Sequence, residues 1–328
     1  MSASPRTFAT AALLLLPLLA LACDDGSGSD EANTTTTNGE GSENTDPTAG
    51  DELRGPCELA DRVGGFNVAM EEIYTAFSGS VADGVVPVTV LEQVGGEGDC
   101  VLLRRNNPFC DPPCSPGQTC DFDGSCIPYP ANQDVGTVSV SGLAQAVEVP
   151  GMGPSFTYFD TSLPHPGMTP GATIVLTTSG GAYGRIELHG IGVPMVEPAA
   201  SELALASGEP LEVTWASSGS DARLHLELSV DQHGLTPVKL VCDAPDTGSL
   251  TVSAALMTEF LAYPISGYPV ADYALHTTDS VDIAPGCVEF EVRSHVQTPL
   301  TIDGHTPCDG DADCPMGQTC DVANQTCV

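Results

Sequence analysis

Ala222-Arg223-Leu224-His225-Leu226-Glu227-Leu228-Ser229-Val230 carries the plainest structural signal in the chain. Successive side chains of a strand point to opposite faces. Leu224, Leu226, Leu228 and Val230 therefore share one face, and Arg223, His225, Glu227 and Ser229 the other. A helix, with its period of about 3.6, cannot sort them so cleanly. The run predicts a half-buried strand with a core on one side and water on the other.

Outward from it the same texture recurs. Val288, Phe290 and Val292 alternate with Glu289, Glu291 and Arg293. Shorter candidate strands are residues 136–141, 172–177, 185–189, 211–215, 238–242 and 250–253, with Pro and Gly between them. Only residues 254–262 read as helix. Many short strands with turn signals define a mainly β chain, and residues 131–297 are expected to form a β-sandwich region. Trp215, with Cys242 and Cys287 on flanking strands, resembles an immunoglobulin-like core. Upstream, Phe66, Val68 and Met70, then Ile73, Thr75 and Phe77, alternate in the same way. With 85–91 and 101–105 as further strands, residues 56–107 are expected to be a separate small β unit, stapled to a neighbour by Cys57 and Cys100.

Between these regions lies Cys110-Asp-Pro-Pro-Cys114-Ser-Pro-Gly-Gln-Thr-Cys120-Asp-Phe-Asp-Gly-Ser-Cys126. It has almost no apolar content, so cross-links must hold it. Gly117-Gln-Thr-Cys-Asp121 recurs letter for letter as Gly317-Gln-Thr-Cys-Asp321, and each copy has a cysteine six residues before its second one. Two copies of one disulfide module, 108–130 and 298–328, thus bracket the central region.

The N-terminus reads differently. A mostly apolar run from Phe8 to Ala22 follows Arg6, and Ala20-Leu-Ala-Cys23 closes it before Asp24 and Asp25. The run is shorter than the roughly 20 residues that span a bilayer. This resembles a bacterial lipoprotein signal, residues 1–22, with Cys23 as the lipidated residue; Ala20 stands where that pattern favours Leu. The rival reading is an ordinary secretory signal, and both imply export. Acyl chains add about 0.8 kcal/mol per buried methylene, so two or three would hold a folded body at a membrane. Residues 23–55 are acidic and rich in Gly, Ser and Thr, with Leu53 as the only large apolar side chain, and read as a disordered tether.

Nine Lys and Arg stand against 44 Asp and Glu, a net charge of −35. Such a chain lacks the basic footprint that nucleic-acid binding requires. Thirteen cysteines in an exported protein mean disulfides. With Cys23 set aside, twelve remain. Cys57, Cys100, Cys110, Cys114, Cys120 and Cys126 form one group with 15 possible pairings, and Cys308, Cys314, Cys320 and Cys327 another with three. Cys242 and Cys287 stand between the groups and are expected to pair with each other.

Gly65-Phe66, Asp83-Gly-Val-Val-Pro87, Asp99-Cys-Val-Leu-Leu-Arg104, Cys110-Asp-Pro-Pro-Cys114 and Gly286-Cys-Val-Glu-Phe290 are similar to phrases in uncharacterised predicted lipoproteins of myxobacteria. The Cys-x-x-Gly-Gln-x-Cys modules resemble theirs too. The resemblance implies an exported, β-rich protein at the outer membrane or cell surface of a Gram-negative bacterium; the family it points to has no established activity.

Few strings carry chemistry. Asp246-Thr-Gly-Ser249 matches the aspartic-protease phrase, whose paired carboxylates share a proton. No second Asp-Thr-Gly exists, so a hydrolase of this kind would need a homodimer, and Asp and Gly are ordinary turn residues. Asp309, Asp311 and Asp313 have the spacing of a calcium loop's first ligands, but Cys314 and Cys320 stand where an EF-hand requires Gly and Glu. An irregular calcium site remains the only cofactor reading, with Asp121 and Asp123 as a second candidate. The expected function is therefore binding, adhesion or scaffolding at the cell surface without catalysis, with matrix polysaccharide or a surface protein as partner. The alternatives are the Asp246 hydrolase and a purely structural envelope lipoprotein.

Overall fold

The computed structural model describes residues 52–231 and 238–328. The proposed signal peptide, Cys23 and nearly all of the proposed tether lie outside the described residues.

The chain opens with two hairpins, β1 (Arg62–Met70) with β2 (Thr75–Val81) and β3 (Leu91–Glu97) with β4 (Cys100–Arg105). The first cysteine module holds β5 (Gln118–Cys120) and β6 (Cys126–Pro128). Then come β7 (Val138–Ser141), β8 (Val147–Val149), β9 (Tyr158–Asp160), β10 (Thr173–Thr178), β11 (Glu187–Ile191), β12 (Leu203–Leu205) and β13 (Leu211–Thr214). The alternating run itself forms β14 (Arg223–Ser229), followed by β15 (Val238–Pro245) and β16 (Ser249–Val252). Helix α1 (Ala254–Phe260) is capped by Ser253, whose hydroxyl accepts from Leu256 N–H, and it buries Leu256, Met257 and Phe260. Long strands β17 (Val270–Ile283) and β18 (Gly286–Ile302) lead into the last module, with β19 (Cys320–Asp321) and β20 (Thr326–Cys327).

One large sheet runs in the order β3-β4-β15-β14-β17-β18-β1-β2-β9, with β12 also paired to β18. The β1–β18 and β12–β18 pairings are parallel. A second sheet, β11-β10-β7-β8, packs on the apolar face of the first. The approach is close: a Cβ on Gly190 of β11 would lie 2.5 Å from Val292 Cγ2 of β18. Edge strand β11 leaves backbone groups unpaired, and polar side chains from the large sheet meet them. His189 N–H donates to Asp279 Oδ2 (3.0 Å), and Ile191 N–H to Thr277 Oγ1 (3.0 Å). This explains why buried Thr277 and Asp279 interrupt an otherwise apolar face. Between the layers, the Phe66 ring stacks on Phe77 at 6.1 Å and meets Tyr158 edge-on at 6.0 Å.

Several expectations need correction. Residues 56–107 are not a separate unit: β1 and β2 lie on one side of the large sheet and β3 and β4 at its opposite edge. Residues 85–91 are not a strand, because Pro87 opens a 3-10 turn, Pro87–Thr89. Strand β18 runs to Ile302, so residues 298–302 belong to the sheet rather than to the last module. Arg54, assigned to the tether, is pinned to the body by Asp279, its Nε 2.9 Å from Oδ1.

Cys242 does not pair with Cys287. Strands β14 and β17 lie between β15 and β18, which alone puts the two cysteines about 14 Å apart sideways at the usual strand spacing, twice the roughly 7 Å limit for a disulfide. The ladders also set Cys242 level with Val296 rather than with Cys287. Cys242 instead faces Cys100 across the β15–β4 ladder and bonds to it, and Cys287 bonds to Cys57. Both modules share one connectivity, first to third and second to fourth: Cys110–Cys120 with Cys114–Cys126, and Cys308–Cys320 with Cys314–Cys327. The letter-for-letter repeat is a structural repeat.

Candidate binding surface

The first cysteine module docks beside the turn that follows β2. Asp83 joins the two: its N–H donates to Ala131 O (3.1 Å), and its Oδ1 accepts from Ala131 N–H (2.8 Å). Its Oδ2 accepts from Gln133 Nε2 (3.0 Å). Above this junction lies an open cleft of about 580 Å³. Val85, Pro87 and Val90 form one wall, and Phe122, Ile127, Pro128, Tyr129 and Pro130 the other. Two disulfides and a Tyr129 N–H bond to Gly117 O (2.9 Å) fix the module wall. Phe122 and Tyr129 are about half exposed, at 47 % and 55 %, and neighbouring Phe109 is 82 % exposed. In a chain with 5 % aromatics, this small module thus carries three exposed rings, two of which line the cleft.

The outer face of the large sheet is polar and carries a network of its own side-chain bonds, with Arg293 Nε a buried donor left without a hydrogen-bond partner. His295 stands between two carboxylates, with Nδ1 2.7 Å from Glu71 Oε2 and Nε2 2.9 Å from Asp272 Oδ1. The bond to Asp272 raises the His295 pKa above its ordinary value, burial opposes this, and Glu71 reinforces it. Asp272 is held low: burial works against that direction, but the bonds from His295 and Gln297 prevail. Further along, His276 Nε2 lies 3.3 Å from Asp243 Oδ1, which also accepts from Arg223 Nε at 2.8 Å. The ring of His225 meets His276 edge-on with centroids 6.1 Å apart. Burial, and then the proximity of His276, lower the His225 pKa. His225, on the strand face expected to meet water, is half-buried within this network. Seven of the eight lysines and arginines among the described residues are ion-paired. The excess negative charge is consequently left facing water.

Asp246 lies at a turn and is buried. Trp215 Nε1 donates to its Oδ1 at 2.6 Å, and Ser218 N–H to its Oδ2 at 2.7 Å, with the Ser218 hydroxyl on the same oxygen. The carboxylate clamps residues 215–218, and no other carboxylate among the described residues shares hydrogen bonds with it. The single-chain geometry is that of a brace rather than half of a proton-sharing pair.

The calcium candidates do not converge. Asp313 Oδ2 accepts from Asp309 and Gly310 N–H, Asp311 Oδ1 from Cys320 N–H, and Asp309 Oδ1 from Gln325 Nε2. Asp121 and Asp123 likewise accept from Phe122 and Ser125 N–H. Each aspartate accepts at least one N–H of its own knot and helps to shape it. Among the described residues, the only groups of three ligand-type side chains within 4.8 Å are Cys110, Cys114, Cys120 and Cys308, Cys314, Cys320, all in disulfides. No helix among the described residues is long and apolar enough to cross a membrane.

No protein-family model matches the chain, and no curated protein does either. Among solved structures, the chicken CNTN1 FN1–FN3 domains align with 67 % of this chain and 69 % of their own at 8 % identity. The TM-score of 0.17 is too low for that likeness to carry a fold or functional argument.

The cleft was not foreseen. Its walls come from residues 83–90 and 121–130, and the sole local signal was Pro128-Tyr-Pro130 directly after the last cysteine of the module.

Proposed function

We propose that this is an exported, lipid-anchored protein of the bacterial cell surface that acts by binding, in adhesion or scaffolding, and not by catalysis. The preformed cleft between the first cysteine module and the sheet is the observation that carries the reading. A groove fixed by disulfides and backbone hydrogen bonds costs little ordering on binding. The spent carboxylate of Asp246 supports the non-catalytic part. The N-terminal segment ending at Cys23 supports export and anchoring.

The test mixes the protein with isolated envelope and matrix polysaccharide, with and without calcium, and measures what sediments. Saturable cosedimentation is the expected result; its absence from every fraction ends the binding reading in favour of passive structure. Cys23→Ala is expected to release the protein from membranes, and unchanged retention rejects the lipid anchor.

A further inference from the structure

Resting on the binding reading above, we infer that the cleft takes an extended, proline-bearing and basic peptide segment of another protein. The shape of the site sets the first term. Phe122 and Tyr129 stand as half-exposed rings beside Pro87 and Pro130, a ridged apolar trough open to solvent. Such surfaces suit a polyproline-type strand, which is already extended, so it loses little conformational freedom on docking.

Charge sets the second. The side chains lining the cleft include Asp83 and Asp121 and no lysine or arginine. Asp111 and Asp123 are exposed on the same module. The chain carries −35 in all, and its described cations are nearly all tied to carboxylates. An acidic segment would be repelled, whereas arginine or lysine flanking the prolines would be drawn in.

The hydrogen-bond inventory disfavours a sugar polymer. Polysaccharide hydroxyls need several polar side chains in fixed positions, and both Asp83 oxygens already accept protein N–H groups. The cleft offers apolar area and charge but few side-chain groups to read hydroxyls.

The test uses the full chain in mild detergent and a fluorescein-labelled peptide of Arg-Pro-Pro repeats, read by fluorescence anisotropy. Saturable binding is expected, weakened by salt. A Glu-Pro-Pro peptide is expected to bind at least about tenfold more weakly. Phe122→Ala combined with Tyr129→Ala is expected to cost about tenfold or more. Phe159→Ala, which removes an exposed ring outside the cleft, is expected to change nothing. Both rings of the double variant are solvent-facing, and intact disulfides by mass analysis confirm that it has folded. No saturable binding, equal binding of both peptides, or undiminished binding to the double variant overturns the inference. So does ring-dependent binding of matrix polysaccharide alone. Envelope cosedimentation that survives in the double variant overturns the cleft assignment while leaving the binding function standing.

Discussion

Trp215 Nε1 donates to Asp246 Oδ1 at 2.6 Å, tying the only tryptophan to the one sequence phrase that suggested catalysis. Removing the carboxylate leaves a buried indole N–H and the Ser218 amide without their acceptor. Asp246→Ala is therefore expected to cost roughly 2–3 kcal/mol in urea unfolding. Asp246→Asn keeps one acceptor and is expected to cost less. Equal stability of Asp246→Ala and wild type would show that the brace is idle.

Two histidines on the outer sheet face should titrate in opposite directions. The Asp272 bond, with Glu71, raises His295, whereas burial and His276 lower His225. Ring-proton NMR is expected to put the His295 midpoint above the ordinary 6.5 and that of His225 below it. Matching midpoints would refute the network.

The same shifts fix the sign of the stability effect. With its folded pKa raised, His295 stabilises the fold fully below its unfolded value, and that stabilisation fades as pH climbs through the folded value. His295→Gln should thus be more damaging near about pH 5.5 than near about pH 9. For His225, whose folded pKa is depressed, the native state loses stability as pH falls through the unfolded value, so His225→Gln is expected to blunt that loss.

Cys57–Cys287 joins residues 230 apart, and Cys100–Cys242 joins residues 142 apart. Peptide mapping without reduction is expected to recover both, and a Cys242–Cys287 peptide would refute the sheet order. Replacing either long-range pair with alanines is expected to destabilise by roughly 2–5 kcal/mol.

Gly190 marks a close approach of the two sheets. A methyl group there would collide with Val292 Cγ2, so Gly190→Ala is expected to cost about 1–3 kcal/mol. A neutral outcome would mean that the layers part easily at β11.

Much of the local structure was legible, because β14 and the first half of β18 each face core on one side and water on the other. Strand β17 was not. Ala271, Tyr273 and Leu275 are buried on one face, while Ala274 and His276 are buried on the other. Burial on both faces erases the period-two signal. The interleaving of residues 62–105 with the central region was hidden for a different reason: the register of β1 on β18 links positions more than 200 residues apart. No local pattern encodes such a partner. The same holds for the cleft, which exists only where a turn after β2 meets the module.

Because β1 lies parallel to β18, and Cys57, ahead of β1, is bonded to Cys287 at the start of β18, tension arriving from the N-terminal side does not meet the hydrogen bonds of β1 first. It crosses the sulfur bridge to the start of β18, which is held along its length by β17. Peeling β1 away from that end is blocked while the bridge stands, and the ladders would have to slide in shear. Reduction would turn this latch into a zipper, opening the body one backbone pair at a time from its N-terminal end.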